Sequence, residues 1–112
     1  MVSNKKYLSD ILTAIQEIDS FFLNRPKQFS NYCDELILRR AIERNISIIG
    51  EAVNKLIKSE SDIKITQTRN IIATRNRIIH SYDSLRPELI WAIVINDLPI
   101  LKKEVESILN NG

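Results

Sequence analysis

Within eight residues, Arg75 to Tyr82 ("RNRIIHSY"), the chain places a permanent cation, a carboxamide, its single histidine and a phenol. Arginine offers a planar fork of N–H donors that suits an oxyanion. Histidine titrates near neutral pH without any perturbation, so it can take and return protons there. An arginine set among isoleucines and followed by that histidine is therefore either the edge of a reactive site or an ordinary packed helix with a stray charge.

Helical geometry sharpens the choice. At about 100° per residue, with Arg75 at zero, Ile72 and Ile79 fall near 60° and 40°, and Ile71, Ile78 and Tyr82 near −40°, −60° and −20°. Arg75 thus sits in the middle of an apolar stripe, where an unpaired charge costs several kcal/mol. Beside it runs a polar ridge of Arg69, Ala73, Asn76 and His80, between about 100° and 160°. Asn76 and His80 are i, i+4 neighbours, so one can orient the other. Each residue also has a structural reading. Arg75 can pack its stem and pair its head with a carboxylate such as Glu51. His80 can serve as a cation at a helix end, Tyr82 as a core aromatic with its hydroxyl in water, and Asn76 as a surface residue.

Four amphipathic segments are predicted to position these groups. Residues 4–24 carry Leu8, Ile11, Leu12, Ile15, Ile18 and Phe22 at helical spacing. Pro26 ends that helix, and Ser30 is a candidate cap for a second over 31–58, whose stripe is Leu38, Ile42, Ile46, Ile49, Val53 and Leu56. After the polar break "KSESDIKI", Thr66 or Thr68 is expected to cap a third helix reaching about Tyr82. Pro87 then opens the last segment, 87–110, whose apolar phase from Ile90 to Ile108 survives Pro99. Pro99 is expected to kink this helix or to split it. The result is an all-α, antiparallel four-helix bundle formed by residues 1–112 as a single domain.

Composition limits the classes. A chain of 112 residues that is 44% apolar, with five glycines and prolines, fits one packed helical domain. No apolar run approaches the roughly 18–20 residues of a membrane span, and polar residues interrupt any signal core in "MVSNKKYLSDIL", so a cytoplasmic location is expected. Cys33 and His80 are too few for a zinc site, and neither a metal nor a cofactor is expected. The net charge of +2 is small, but residues 64–86 hold Lys64, Arg69, Arg75, Arg77 and Arg86 against Asp83 alone. Such a cluster reads as a solvated face or as an anion site.

"RNRIIHSY" resembles the R-x4-H-x-Y signature of the HEPN superfamily in its HepT-like branch, with Arg75, Asn76, His80 and Tyr82 at the matching positions. "LRRAIERNISIIGEAVNKL" (residues 38–56) resembles that branch's second helix, with its A-x-E-R and I-I-G-E-A elements, and "WAIVINDLPIL" (91–101) resembles its ending. Together they cover nearly all of the chain after residue 35. Two features depart from the pattern: Ala73-Thr74 precede the Arg-Asn pair, and "IKITQTR" replaces a loop that commonly carries Pro-Trp. These bear on substrate preference and loop shape.

The resemblance implies a HEPN-like bundle and a metal-independent endoribonuclease, the toxin of a type VII-like toxin–antitoxin system. It implies a homodimer in which two copies of the motif share one cleft, with Arg75 and His80 catalytic and cleavage proceeding through the RNA 2′-hydroxyl. It further implies silencing by a minimal nucleotidyltransferase antitoxin, which transfers AMP to Tyr82. Asn76 is expected to orient His80 or to contact phosphate; Arg69 and Arg77 are candidates for the RNA backbone on charge alone. The alternative is a HEPN-type module that binds RNA or nucleotide, or tethers a nucleotidyltransferase, without cutting.

Overall fold

The computed structural model describes residues 2–59 and 62–111. Glu60 and Ser61, within the expected polar break, lie outside the described residues, as do Met1 and Gly112. The described chain is all-helical: α1 (Val2–Ser20), α2 (Phe29–Asp34), α3 (Leu36–Ser59), α4 (Thr68–His80), a 3-10 turn (Tyr82–Ser84), α5 (Pro87–Ala92), a π-helical segment (Ile93–Asp97) and α6 (Leu98–Asn111). The long α3 is central and packs against α1 on one side and α4 on the other, while α6 closes against α1.

The apolar stripes do what their spacing requires. Leu38, Ile42, Ile46, Ile49, Val53 and Leu56 of α3 are all buried, against Leu8, Ile11, Ile15 and Ile18 of α1 and Leu98, Leu101 and Val105 of α6. The packing also places buried polar groups. Asn45 on α3 donates to the carbonyl of Ala14 at 3.1 Å and to Glu17 Oε1 at 2.9 Å, which fixes the register of α1 on α3.

Four boundaries differ from the sequence reading. The first helix stops at Ser20, not 24; Phe21–Arg25 turn away, and Arg25 Nη1 donates back to the Phe21 carbonyl at 2.6 Å. The second segment is two helices, because Glu35 is extended (φ −108°, ψ 99°). On one continuous helix Tyr32 would lie about 120° from Leu38; the break re-phases it, and its fully buried ring joins Phe29, Phe22 and Trp91, 5.6 Å from Trp91. Ser30 consequently falls inside α2, whose cap position is Gln28. At the third helix neither threonine caps: Thr68 is its first residue, and Thr66 Oγ1 donates to Glu104 on α6 at 2.7 Å. That helix ends at His80, so Tyr82 sits in the following 3-10 turn.

The last segment is divided just ahead of Pro99, into α5, the π-helical stretch and α6. The backbone widens to π-helix ahead of it, the Leu98 N–H reaching the Ile93 carbonyl, so the proline is accommodated and the apolar phase continues into α6. Pro87 opens α5 as expected.

The crossing of α3 and α4 is the closest approach relevant to the site. A Cβ built on Gly50 would stand 2.5 Å from Arg75 Cβ, 2.9 Å from Arg75 Cγ and 3.3 Å from the Ile71 carbonyl oxygen. Only a residue without a side chain lets the Arg75 stem lie directly on the α3 backbone. Gly50→Ala should therefore lower stability by about 1–3 kcal/mol despite its better helix propensity; urea denaturation measures this, and an unchanged or raised midpoint would contradict the close crossing.

Candidate active site

Arg75 lies midway along α4 with its side chain 21% exposed, its stem on Gly50 and its head turned outward. Its Nη2 donates to Glu51 Oε2, the residue next to that glycine, and its Nη1 donates to Asn76 Oδ1 at 3.0 Å. The other carboxylate oxygen of Glu51 faces Lys55 Nζ at 3.5 Å. The carboxylate named in the structural reading of Arg75 is thus its partner, but the pairing does not exhaust the guanidinium. Of its five N–H groups these two bonds use two. Nε is buried and unpaired, and each Nη keeps one further N–H.

Asn76 and His80 are exposed on the ridge beside Arg75. The Asn76 side chain bonds to Arg75, where the sequence had it orienting His80 or meeting phosphate. Among the described residues His80 has neither a hydrogen-bond nor an ion-pair partner, and it ends α4. Arg69 and Arg77, both exposed on α4, are likewise without ion-pair partners among the described residues.

Tyr82 is tied across to α3. Its hydroxyl donates to Glu43 Oε1 at 2.9 Å and accepts from Arg40 Nη1. The Arg40 guanidinium lies 5.3 Å over the phenol ring and 3.2 Å from the same Glu43 oxygen. Desolvation, then the hydrogen bond and negative charge of Glu43, hold the phenol above its ordinary pKa; the cations Arg40 and Arg39 pull the other way. Beneath it a cavity of about 50 Å³ is lined by Arg39, Glu43, Leu85, Pro87 and Ile90.

Arg40 and Glu43 carry no role in the sequence reading. Glu43 falls inside the "AIER" element quoted for the second helix, directly after the core residue Ile42, and that placement was the available signal. Its partner lies 39 positions away, beyond any local pattern.

The phenol's raised pKa gives a direct check. Because the neutral form is favoured in the folded state, Tyr82 should ionise above free tyrosine, and the fold should lose stability as pH rises through that value. Ultraviolet titration against Tyr82→Phe isolates its signal. Glu43→Gln should bring the transition down, and an identical transition in both proteins would contradict the contact.

A family model described as ribonuclease HepT-like matches residues 11–108. Among curated relatives, a protein of Caldanaerobacter subterraneus subsp. tengcongensis named as a candidate RNase is 34% identical over 97% of this chain and 96% of its own length. One from Methanocaldococcus jannaschii, also named as a candidate RNase, is 31% identical over 91% and 93%. The "Probable ribonuclease HepT" of Thermococcus cleftensis is 30% identical over 95% and 96%. No solved structure matches the chain. Among the described residues no helix is long and apolar enough to cross a membrane. With the family model spanning α1 to α6 and relatives matched almost end to end, the chain belongs to the HepT-like ribonuclease family.

Proposed function

We propose that the protein is a metal-independent endoribonuclease acting as the cytoplasmic toxin of a toxin–antitoxin pair, working as a homodimer and silenced by transfer of AMP to Tyr82. The observation that carries this reading is the state of Arg75. Its head is anchored by Glu51 and Asn76 yet retains Nη donors, on the same short helix as an exposed and unpartnered His80. A guanidinium held this way is pre-set for a phosphate and needs no reorganisation to meet it.

In the reaction, the ribose 2′-oxygen attacks phosphorus as its proton passes to an imidazole. The bond to the 5′-oxygen breaks with its electron pair, and a second imidazole protonates the leaving group. The products are a 2′,3′-cyclic phosphate and a 5′-hydroxyl. Such proton transfers contribute about 10²–10⁴-fold. Arg75 opposes the charge that builds on the phosphoryl oxygens. One chain carries a single histidine, so two transfers call for two chains, and an isologous pair brings a patch to its own copy. The surface supports that pairing: Ile79, between Arg75 and His80, is 48% exposed, and Ile48 on α3 is 39% exposed. The exposed Arg69 and Arg77 are suited to the RNA backbone, where they add sequence-independent affinity. For silencing, a nucleotidyltransferase antitoxin supplies AMP, an anion that repels RNA phosphate two residues from His80.

Purified protein incubated with total RNA in EDTA should cleave it, and His80→Ala and Arg75→Ala should each lose on the order of 10²-fold or more in rate. Binding without cleavage by the wild type would overturn the enzyme in favour of a non-catalytic RNA-binding module. Undiminished cleavage by either variant would remove that residue from the chemistry.

A further inference from the structure

Tyr82 enters the ribonuclease reading only as a point of modification, yet its hydroxyl is already engaged in the unmodified chain. We propose that Glu43 is a positioning residue, holding the turn after His80 against α3 through the Tyr82 hydroxyl, and that a group attached to that hydroxyl silences the site by breaking this hold. The proposal rests on the ribonuclease reading and adds to it how the silencing works.

Glu43 is 6% exposed, and a carboxylate buried that far needs partners. Those it has are Arg40 at 3.2 Å and the Tyr82 hydroxyl at 2.9 Å, both on Oε1. Arg40 also donates to the phenol oxygen, so the three groups close on one another. On the other side of the tether, His80 is the final residue of α4, and its side chain has no partner among the described residues. Helix ends fray unless something outside the helix holds them. Ser81 still donates to the Arg77 carbonyl at 3.0 Å, and beyond it the chain leaves the helix. The side-chain tie to α3 nearest to His80 in sequence is therefore Tyr82 on Glu43.

Nucleotidyl transfer cannot leave this arrangement in place. The phenol oxygen attacks the α-phosphorus of a nucleoside triphosphate, and pyrophosphate leaves with the electron pair of the broken P–O bond. The phenol proton passes to the Glu43 carboxylate. The oxygen then has no hydrogen to donate, and once Glu43 gives its proton to water an anionic phosphodiester faces a carboxylate. The cavity beneath, about 50 Å³, is far below the roughly 300 Å³ of a small ligand pocket. Tyr82 is 42% exposed, so the nucleotide extends into solvent, and with the donated hydrogen bond to Glu43 gone the His80 end of α4 loses its anchor.

The test uses the full chain with Glu43→Ala, Tyr82→Phe, the double variant and Glu43→Gln, followed by RNA-cleavage kinetics and by NMR of the His80 ring. Each of the first two should lower kcat by about 10- to 100-fold, with KM within about twofold. The double variant should be no worse than the poorer single, because both remove one contact. Glu43→Gln, whose amide oxygen still accepts from the phenol, should recover most of what Glu43→Ala loses. The His80 ring resonances should broaden in Tyr82→Phe, the milder of the two single variants. Losses that multiply in the double variant, or an unchanged kcat in Tyr82→Phe, overturn the proposal. Should the wild type cleave no RNA, the ribonuclease reading fails separately, and the spectra decide: unaltered His80 line widths in Tyr82→Phe overturn the latch, and broadening upholds it.

Discussion

A permanent cation must lie at the seam between two packed helices, and much of the site follows from how α3 makes that tolerable. Arginine cannot shed its charge, so burial of its stem has to be matched by a path for its head. Gly50 supplies the path by removing the side chain that would collide with Arg75 Cβ and Cγ. Glu51, the next residue, supplies the counter-charge. The "IIGEA" element is therefore a physical unit: two isoleucines, of which Ile49 is fully buried, a glycine that lets α4 come close, a glutamate that receives the guanidinium, and Ala52 back in the core.

The same antiparallel register puts a second tie seven residues on from Arg75 and eight back from Glu51, where Glu43 meets Tyr82. Seven residues are about two helical turns, so α4 is held at its middle and just past its end, with His80 between the two points. Elsewhere the packing serves this seam. Asn45 locks α1 onto the opposite flank of α3, and the Phe22–Trp91–Tyr32 cluster gathers α2 and α5. Asp97 in the π-helical segment is influenced by Asn70 of α4, which favours its charged form, but burial outweighs this and pushes its carboxyl above the usual range. Thr66 and Glu104 fasten the approach to α4 onto α6.

The legible part of this fold was its helical periodicity, since a residue's burial on a long helix is set by neighbours three and four positions away. That is why the α3 stripe from Leu38 to Leu56 and the α6 stripe could be read directly, and why Arg75 stood out as misplaced. The break at Glu35 was hidden because its cause, the seating of Tyr32 on Trp91, lies some 60 residues downstream. Tyr82 fitted the phase of α4 and was read as helical; Ser81, at φ −141° and ψ 46°, turns the chain out so that the phenol reaches Glu43. Of the site, Arg75, Asn76, His80 and Tyr82 could be picked out by type and spacing, and Glu51 by its charge. Arg40 and Glu43 could not, because their contacts are made across 42 and 39 positions.

Whether Arg75 serves Glu51 alone or faces a phosphate as well is the question on which the functional account turns. It can be answered without catalysis by measuring the salt dependence of binding to a 2′-O-methyl RNA, which has no free hydroxyl to react. The account predicts that Arg75→Ala binds more weakly and with a slope of log K against log salt shallower by about 1.4, or about 0.7 for each of the two copies in a dimer. Equal affinity and equal slope for the two proteins would mean that the arginine is a structural ion pair, and the phosphate site would have to be sought elsewhere.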